Sequence, residues 1–270
     1  MTAIPLGARP DPSALHQWWV LTRRQIVPTL RSGEVGVAVA ASAAVTASFY
    51  IPLHKLMDGP DLGLSSYAQY LMPIIVLQAI AFATISTAFR AATDSVQGIN
   101  RRFQAMPIPP LTPLAARISA SVYRSVIGLT AALACGYVVG FRFHRSFPYT
   151  AAFCLLVIAA GVAMAFMGDV VGTRSKNPAA TAQWLLLPQL IFGLLSVGIQ
   201  PAHRFSEWIQ PVVRNQPISQ LVNALQAFAG DSVPGAVPVT WSAVGPALAW
   251  VGGLIVVMLP FAVAVYRRRD

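Results

Sequence analysis

Charge is what this sequence has least of. Asp, Glu, Lys and Arg make up 10 % of its 270 residues, against roughly 25 % in an average soluble domain. Hydrophobic residues make up 56 %. A soluble fold of this size has no charged exterior to build from that balance, and a disordered chain needs the opposite one. What remains is a polytopic membrane protein. Acidic residues are the scarcest charges, nine in all: Asp11, Glu34, Asp58, Asp61, Asp94, Asp169, Glu207, Asp231 and Asp270. Cysteine occurs twice, as Cys135 and Cys154, and each lies in an apolar run. That reads as small core residues, with neither a disulfide nor a metal site. The four histidines, His16, His54, His144 and His203, are scattered over different stretches. No His-Glu-x-x-His motif and no metal-ligand spacing occurs. Nor is there a Gly-x-x-x-x-Gly-Lys-Ser/Thr loop, so the chain is not expected to bind ATP itself. These absences argue against an enzyme and against a bound cofactor or metal.

What is there is apolar and long. A membrane-crossing helix needs about 20 mainly apolar residues. Six stretches qualify: Val35 to Leu53, Tyr67 to Phe89, Ile118 to Phe141, Tyr149 to Val171, the shorter Trp184 to Ile199, and Ser242 to Tyr266. The first 34 residues carry Arg9, Arg23, Arg24 and Arg31 and lack a short apolar core with a cleavage site, so no cleavable signal peptide is expected. The fold class is therefore all-α. The expected division is a cytoplasmic segment, 1–34, followed by a six-span domain, 35–270.

The net charge of +10 is clustered between apolar runs. That pattern fits membrane topology better than nucleic-acid binding. With both termini in the cytoplasm, thirteen basic residues lie inside: Arg9, Arg23, Arg24, Arg31, Arg90, Arg101, Arg102, Arg117, Arg174, Lys176, Arg267, Arg268 and Arg269. Five lie outside: Lys55, Arg142, Arg145, Arg204 and Arg214. Arg124 falls within a span. The balance obeys the positive-inside rule. Arg142 and Arg145, on the outside, are expected to meet lipid phosphates. Arg124 and Asp169 are expected to reach an interface by snorkelling or by lying near the surface.

Three segments between spans carry more pattern. In Ser13 to Gly33, Leu15, Trp19, Ile26 and Leu30 fall near helical spacing beside Arg23, Arg24 and Arg31, with Trp18 and Trp19 suited to the headgroup boundary. This reads as an interfacial amphipathic helix, bent at Pro28. In the loop after the second span, a short charged helix is predicted from about Asp94 to Met106. Pro107, Pro109, Pro110 and Pro113 stop it. There Phe103 and Met106 make an apolar knob among Arg101 and Arg102. Composition fits two readings equally: insertion into a partner's groove, or a solvated turn. In Pro201 to Val239, two short amphipathic helices are predicted that lie at the outer leaflet or dip into it, broken by Pro211 and Pro217 and closed at Gly230. Gly136 and Gly140, and the face Ala40, Ala44 and Ala47, suit close helix approach.

In combination these stretches resemble a known family. They are Phe89-Arg-Ala-Ala-Thr-Asp-Ser95, Asn100-Arg-Arg-Phe-Gln104 with Met106-Pro107, Gly140-Phe-Arg-Phe-His-Arg145, Ile191-Phe-Gly-Leu-Leu-Ser196, Trp208-Ile-Gln-Pro211 and Arg214-Asn-Gln-Pro-Ile-Ser-Gln220. The chain resembles the ABC-2 transporter permeases, and among them the daunorubicin-resistance B-type subunits of actinobacteria. That subunit is similar to the mycobacterial component associated with export of phthiocerol dimycocerosate lipids. The resemblance implies a non-catalytic permease moving lipid or anthracycline-type cargo. It implies a separate P-loop ATPase that holds ATP and Mg, and a second permease or second copy. It implies that Asp94, Gly98, Arg101, Arg102, Phe103, Met106 and Pro107 belong to the loop that docks on the ATPase. Trp18, Trp19, Arg23 and Arg24 would sit on the interfacial helix. Trp208, Pro211, Asn215 and Pro217 would belong to extracellular helices capping the exit. Gln226 departs from the family, which often has Arg there. Two other readings stay open on composition: an ion-coupled drug transporter needing Asp169 or Arg124, and a membrane scaffold.

Overall fold

The structure, a computed structural model, describes residues 13–31, 33–57, 65–233 and 237–267. Arg9, Asp11, Asp58, Asp61, Arg268, Arg269 and Asp270, used above in the charge and topology arguments, lie outside the described residues. The described chain is helical, with no strand among those residues. Ten α-helices run in order: α1 (Ala14–Arg31), α2 (Glu34–Met57), α3 (Tyr67–Val96), α4 (Ile99–Gln104), α5 (Thr112–Val138), α6 (Phe147–Arg174), α7 (Pro178–Leu194), α8 (Gln210–Asn215), α9 (Pro217–Ala229) and α10 (Trp241–Arg267). Proline sets many of the starts. It occupies the first turn of α5, α6, α7, α8 and α9, where the missing N–H costs nothing.

Five of these, α2, α3, α5, α6 and α10, are long and apolar enough to cross a membrane. The predicted fifth span corresponds to α7, whose 17 residues give about 26 Å of helix at 1.5 Å per residue. α3 is the axis of the bundle. Its 30 residues give about 45 Å of helix. It packs against α2, α5, α6, α7 and α9, and Tyr67, Leu71, Met72, Ile75, Val76 and Ile80 on it are fully buried. Phe153 and Val157 of α6, and Val222 and Leu225 of α9, complete the same core.

The closest helix approach is between α3 and α6. A Cβ added at Gly172 would stand 2.3 Å from the carbonyl oxygen of Ala88. One added at Gly168 would stand 3.1 Å from that of Thr84. Gly168 and Gly172 are a small-xxx-small pair on α6 that the sequence reading passed over. The pairs it chose behave differently. Gly136 does pack, against Met72, but Gly140 turns the chain at φ +105° with nothing near it. Ala40, Ala44 and Ala47 point away from the bundle.

The end of the bundle around α9 is closed by polar side chains that would be costly to leave unbonded. Gln69 Nε2 donates to the carbonyls of Arg142 (2.9 Å) and Gly230 (2.7 Å), and Oε1 accepts from the Arg142 amide. Tyr67 and Tyr70 donate to the carbonyls of Ile199 and Val197. Arg142 donates to the carbonyls of Tyr137 and Phe141 and covers the Tyr137 ring. Arg145 donates to Val237 and covers the Tyr149 ring. These two arginines staple the loops at this end of the bundle.

Candidate functional site

Two features were expected to carry function: the short helix after the second span and the helical pair before the last. At the first, α3 runs to Val96, two turns past the predicted end of the span, and takes Asp94 with it. The break is Gly98, whose φ of +68° places it in the left-handed region that glycine adopts without penalty. The short helix is thus α4, Ile99–Gln104, and not a helix from Asp94 to Met106. Pro107 and its neighbours follow it but do not end it. Arg101, Arg102, Met106 and Pro107 are exposed.

Phe103 is half-buried, not a free knob. Its ring lies under the Arg24 guanidinium of α1, 5.5 Å away. It also lines a small cleft with Ile108, Pro109, Pro110, Val265 and Tyr266. α1 therefore touches α4 directly. The inward face of α1 is polar: Thr22 and Thr29 are buried against the bundle, and Trp18 Nε1 donates to Ser119 Oγ at 3.2 Å. Leu15, Trp19 and Leu30 point outward, with Arg23 and Arg24 also exposed. An apolar outer face with flanking arginines suits the membrane boundary. Pro28 lies within the helix, which continues through it to Arg31.

Beneath α4 lies a buried ionic cluster. Arg117, placed in the loop by the charge count, is in the second turn of α5 with its side chain 5 % exposed. Its Nη2 donates to Asp94 Oδ2 (2.7 Å) and Asn100 Oδ1 (2.9 Å). Its Nη1 donates to Asp169 Oδ1 (3.0 Å) and to the Tyr266 hydroxyl (2.6 Å). The Tyr266 hydroxyl also donates to Asp169, at 3.2 Å. One guanidinium therefore joins α3, α4, α5, α6 and α10. Asp169 is fully buried, not near the surface as expected, and it tolerates burial because Arg117 and Tyr266 face it. Sequence spacing gave no sign of this cluster, since its members are spread from residue 94 to residue 266. Asn100 aside, their shared signal is that each is a polar residue near the end of an apolar helix.

At the opposite end, α8 and α9 are present, with corrected bounds and setting. Pro211 opens α8 instead of breaking a helix, and Pro217 opens α9. Asn215 closes α8 by donating to the Pro211 carbonyl at 2.8 Å. Trp208 stands outside both helices and is 80 % exposed. α9 does not rest on a surface. Val222, Ala224, Leu225, Ala227 and Ala229 are all buried. Its polar residues are buried too: Ser219 Oγ accepts from the Val197 amide, and Gln226 donates to the Tyr70 carbonyl at 3.2 Å. Beyond α9, Asp231 ties its end to the start of α3, accepting from the Ser65 amide at 2.6 Å. Burial acts to raise this carboxyl's pKa, but hydrogen bonds from Ser65 and Ser232 outweigh it and hold the group below its ordinary value. A lowered carboxyl stabilises the fold above the unfolded pKa of about 3.9 and loses that contribution as pH falls through the folded value. Asp231→Asn is expected to cost under about 1 kcal/mol at pH 7, since solvent screens the site. The difference from wild type should shrink as pH falls below about 3.9 and vanish only below the folded value, in micellar unfolding measurements. A difference unchanged at pH 3 would show that the carboxylate is not the cause.

The described residues contain no group of three or more His, Cys, Asp or Glu able to hold a metal. The five apolar helices define a multi-pass helical membrane protein. The model of the ABC-2 family transporter proteins matches residues 33–264, nearly the whole described chain. The protein belongs to that family. It is 48 % identical over 259 residues to the doxorubicin resistance ABC transporter permease protein DrrB of Mycobacterium tuberculosis, covering 94 % of this chain and 90 % of the relative. It is 28 % identical over 199 residues to that organism's "Probable doxorubicin resistance ABC transporter permease protein DrrC", covering 73 % and 69 %. With the daunorubicin resistance ABC transporter permease protein DrrB1 of Streptomyces coeruleorubidus it shares 24 % identity over 207 residues, covering 76 % and 70 %.

Proposed function

We propose that this chain is the membrane permease subunit of an ATP-driven exporter, carrying hydrophobic cargo out across the cell membrane. The observation that carries the reading is the Arg117 cluster. It makes α4 part of one rigid unit with four longer helices, while Arg101, Arg102 and Met106 stay exposed for a partner. A separate P-loop ATPase, holding ATP and Mg, docks there. Its closure pushes α4, and Arg117 passes the displacement to α3, α5, α6 and α10. The chain supplies no catalytic group. It supplies two conformations with different affinity for cargo.

In this reading α7 and the following residues to Ile199 make the sixth crossing, both termini are cytoplasmic, and residues 1–34 precede the permease domain. Trp208 and α8 lie at the outer side, where cargo leaves. A second permease chain, related or identical, completes the pathway. Anthracycline-type drugs are the first cargo class, supported by the names of the relatives. A complex cell-envelope lipid such as phthiocerol dimycocerosate is the second, supported by the family resemblance and the charge-poor spans. The test is doxorubicin efflux from cells expressing the chain with its ATPase. Arg101→Glu with Arg102→Glu should abolish efflux and ATPase co-purification, with membrane abundance unchanged. Normal efflux by this double variant would show that α4 is not the docking helix.

A further inference from the structure

Apart from the Arg117 cluster, two sets of arginines stand without a carboxylate, and they differ in what they offer. Arg124, two turns beyond Arg117 on α5, does not snorkel as expected. It is 7 % exposed, and its Nη2 donates to Thr87 Oγ1 at 2.9 Å. Its Nε and Nη1 are buried, so they offer nothing to a ligand. The arginines of α1 are the reverse case. Arg23, Arg24 and Arg31 are all exposed. α1 holds no acidic residue, and Glu34, just beyond it, is taken by Arg90 at 2.8 Å. Among the described residues none of the three forms an ion pair.

The rotation of α1 is fixed. Thr22 and Thr29 are buried against the bundle, and Trp18 Nε1 donates to Ser119 Oγ of α5. At 3.6 residues per turn, the opposite half of the helix carries Leu15, Trp19, Val20 and Leu30 interleaved with Arg23 and Arg31. All six are exposed. α1 is not apolar enough to cross a membrane, yet α2, which is, begins three residues after α1 ends. Gly33 turns the chain between them, at a φ of +76° that glycine adopts without penalty. α1 is thus tethered at the mouth of a crossing, at the depth of lipid headgroups. Apolar side chains on that face suit the acyl boundary, and unpaired arginines beside them call for negative charge at the same level. An acidic protein surface would match the arginines alone.

We propose that the outward face of α1 binds anionic phospholipid, Arg23 and Arg31 donating to headgroup oxygens while Leu15, Trp19 and Leu30 lie among the acyl chains. Arg24, at the edge of that face, sits over Phe103 of α4. The helix held by lipid is therefore the one that touches α4.

The experiment uses the full-length chain in phosphatidylcholine nanodiscs carrying a minor fraction of photoreactive phosphatidylglycerol or, in parallel, photoreactive phosphatidylcholine with identical acyl chains. Crosslinked peptides are mapped by mass spectrometry. Each arginine near an anionic surface is worth about fivefold. Wild type should therefore label residues 13–31 at least about fivefold more with phosphatidylglycerol. Arg23→Gln with Arg31→Gln should bring the two yields together, whereas Arg23→Lys with Arg31→Lys should keep most of the preference. Should the glutamine pair fail to fold, salt on wild type decides: raising it from about 0.1 to about 1 M shortens the screening length from about 10 to about 3 Å and should erase most of the preference. Equal labelling of wild type by the two lipids, or a preference that survives both the glutamine pair and high salt, overturns the proposal. So does an absence of labelling on α1 by either lipid, which would give this face to a protein partner. Because no ATPase and no transport enter the measurement, its failure leaves the exporter reading standing.

Discussion

Replacing Arg117 with methionine is expected to destabilise the protein by about 3–5 kcal/mol, the usual cost of removing one partner from a buried ion pair. Methionine keeps most of the aliphatic stem and removes the charged guanidinium. What changes is that Asp169, fully buried, and Asp94, 16 % exposed, lose their cation. Asp169 keeps only the Tyr266 hydroxyl. The same argument fixes the sign of a rescue. Asp169→Leu added to Arg117→Met removes the stranded charge and should recover most of the lost stability, a coupling that the two single variants do not predict by addition. The measurement is apparent unfolding free energy in mixed micelles for the two single variants and the double. An Arg117→Met variant within about 1 kcal/mol of wild type would place the cluster in water and end its role as the joint between α4 and the bundle.

Gly172→Val is expected to be at least as damaging, by another route. The valine Cβ would fall 2.3 Å from the Ala88 carbonyl oxygen and 2.8 Å from the Ala91 Cβ. Neither is the far end of a flexible side chain. No rotamer relieves the clash, so α3 and α6 must separate, opening the main core contact. Overpacking costs about 1–3 kcal/mol where neighbours can shift. With backbone in the way, the cost should lie at the top of that range or beyond. Gly252→Val on α10 is the control, since nothing lies within 4 Å of its added Cβ. Yield of monodisperse protein after extraction should collapse for Gly172→Val and hold for Gly252→Val. Equal yields would mean that the α3–α6 contact is looser than described.

The apolar spans were legible because hydropathy alone marks them. α3 begins at Tyr67, and α6 and α10 begin within two residues of the expected positions. Their polar ends were not legible. Asp94 reads as the start of a separate short helix and Arg117 as a loop charge, yet they sit on α3 and α5 and pair with each other. α9 reads from the sequence as an amphipathic helix. Its polar residues Ser219 and Gln226 are buried as well, bonded to the backbone around Val197 and Tyr70. Sequence shows that a residue is polar, but not whether water or a carbonyl satisfies it. α1 repeats the lesson in reverse, with its threonines inward and Leu15 and Trp19 outward. In and after α4, Arg101, Arg102 and Met106 are exposed. Phe103 is not, since its cover is Arg24, a residue far away in sequence.

These features give the two ends of the molecule different work. At the α4 end, one guanidinium gathers five helices, so a push on α4 is shared. At the α9 end, Gln69, Gln216 and Asp231 hold short segments by hydrogen bonds to backbone. Such contacts are individually worth about 1 kcal/mol and can exchange partners as helices move. Rigid coupling at one end and exchangeable contacts at the other suit a permease driven from the α4 side.

The most direct test of that account is recovery of the tagged chain from native membranes in mild detergent, with crosslinking, followed by mass spectrometry of its companions. A P-loop ATPase crosslinked to Arg101, Arg102 or their neighbours, together with a second permease chain, is the predicted result. Recovery of the chain alone under crosslinking would contradict it and bring the ion-coupled transporter forward.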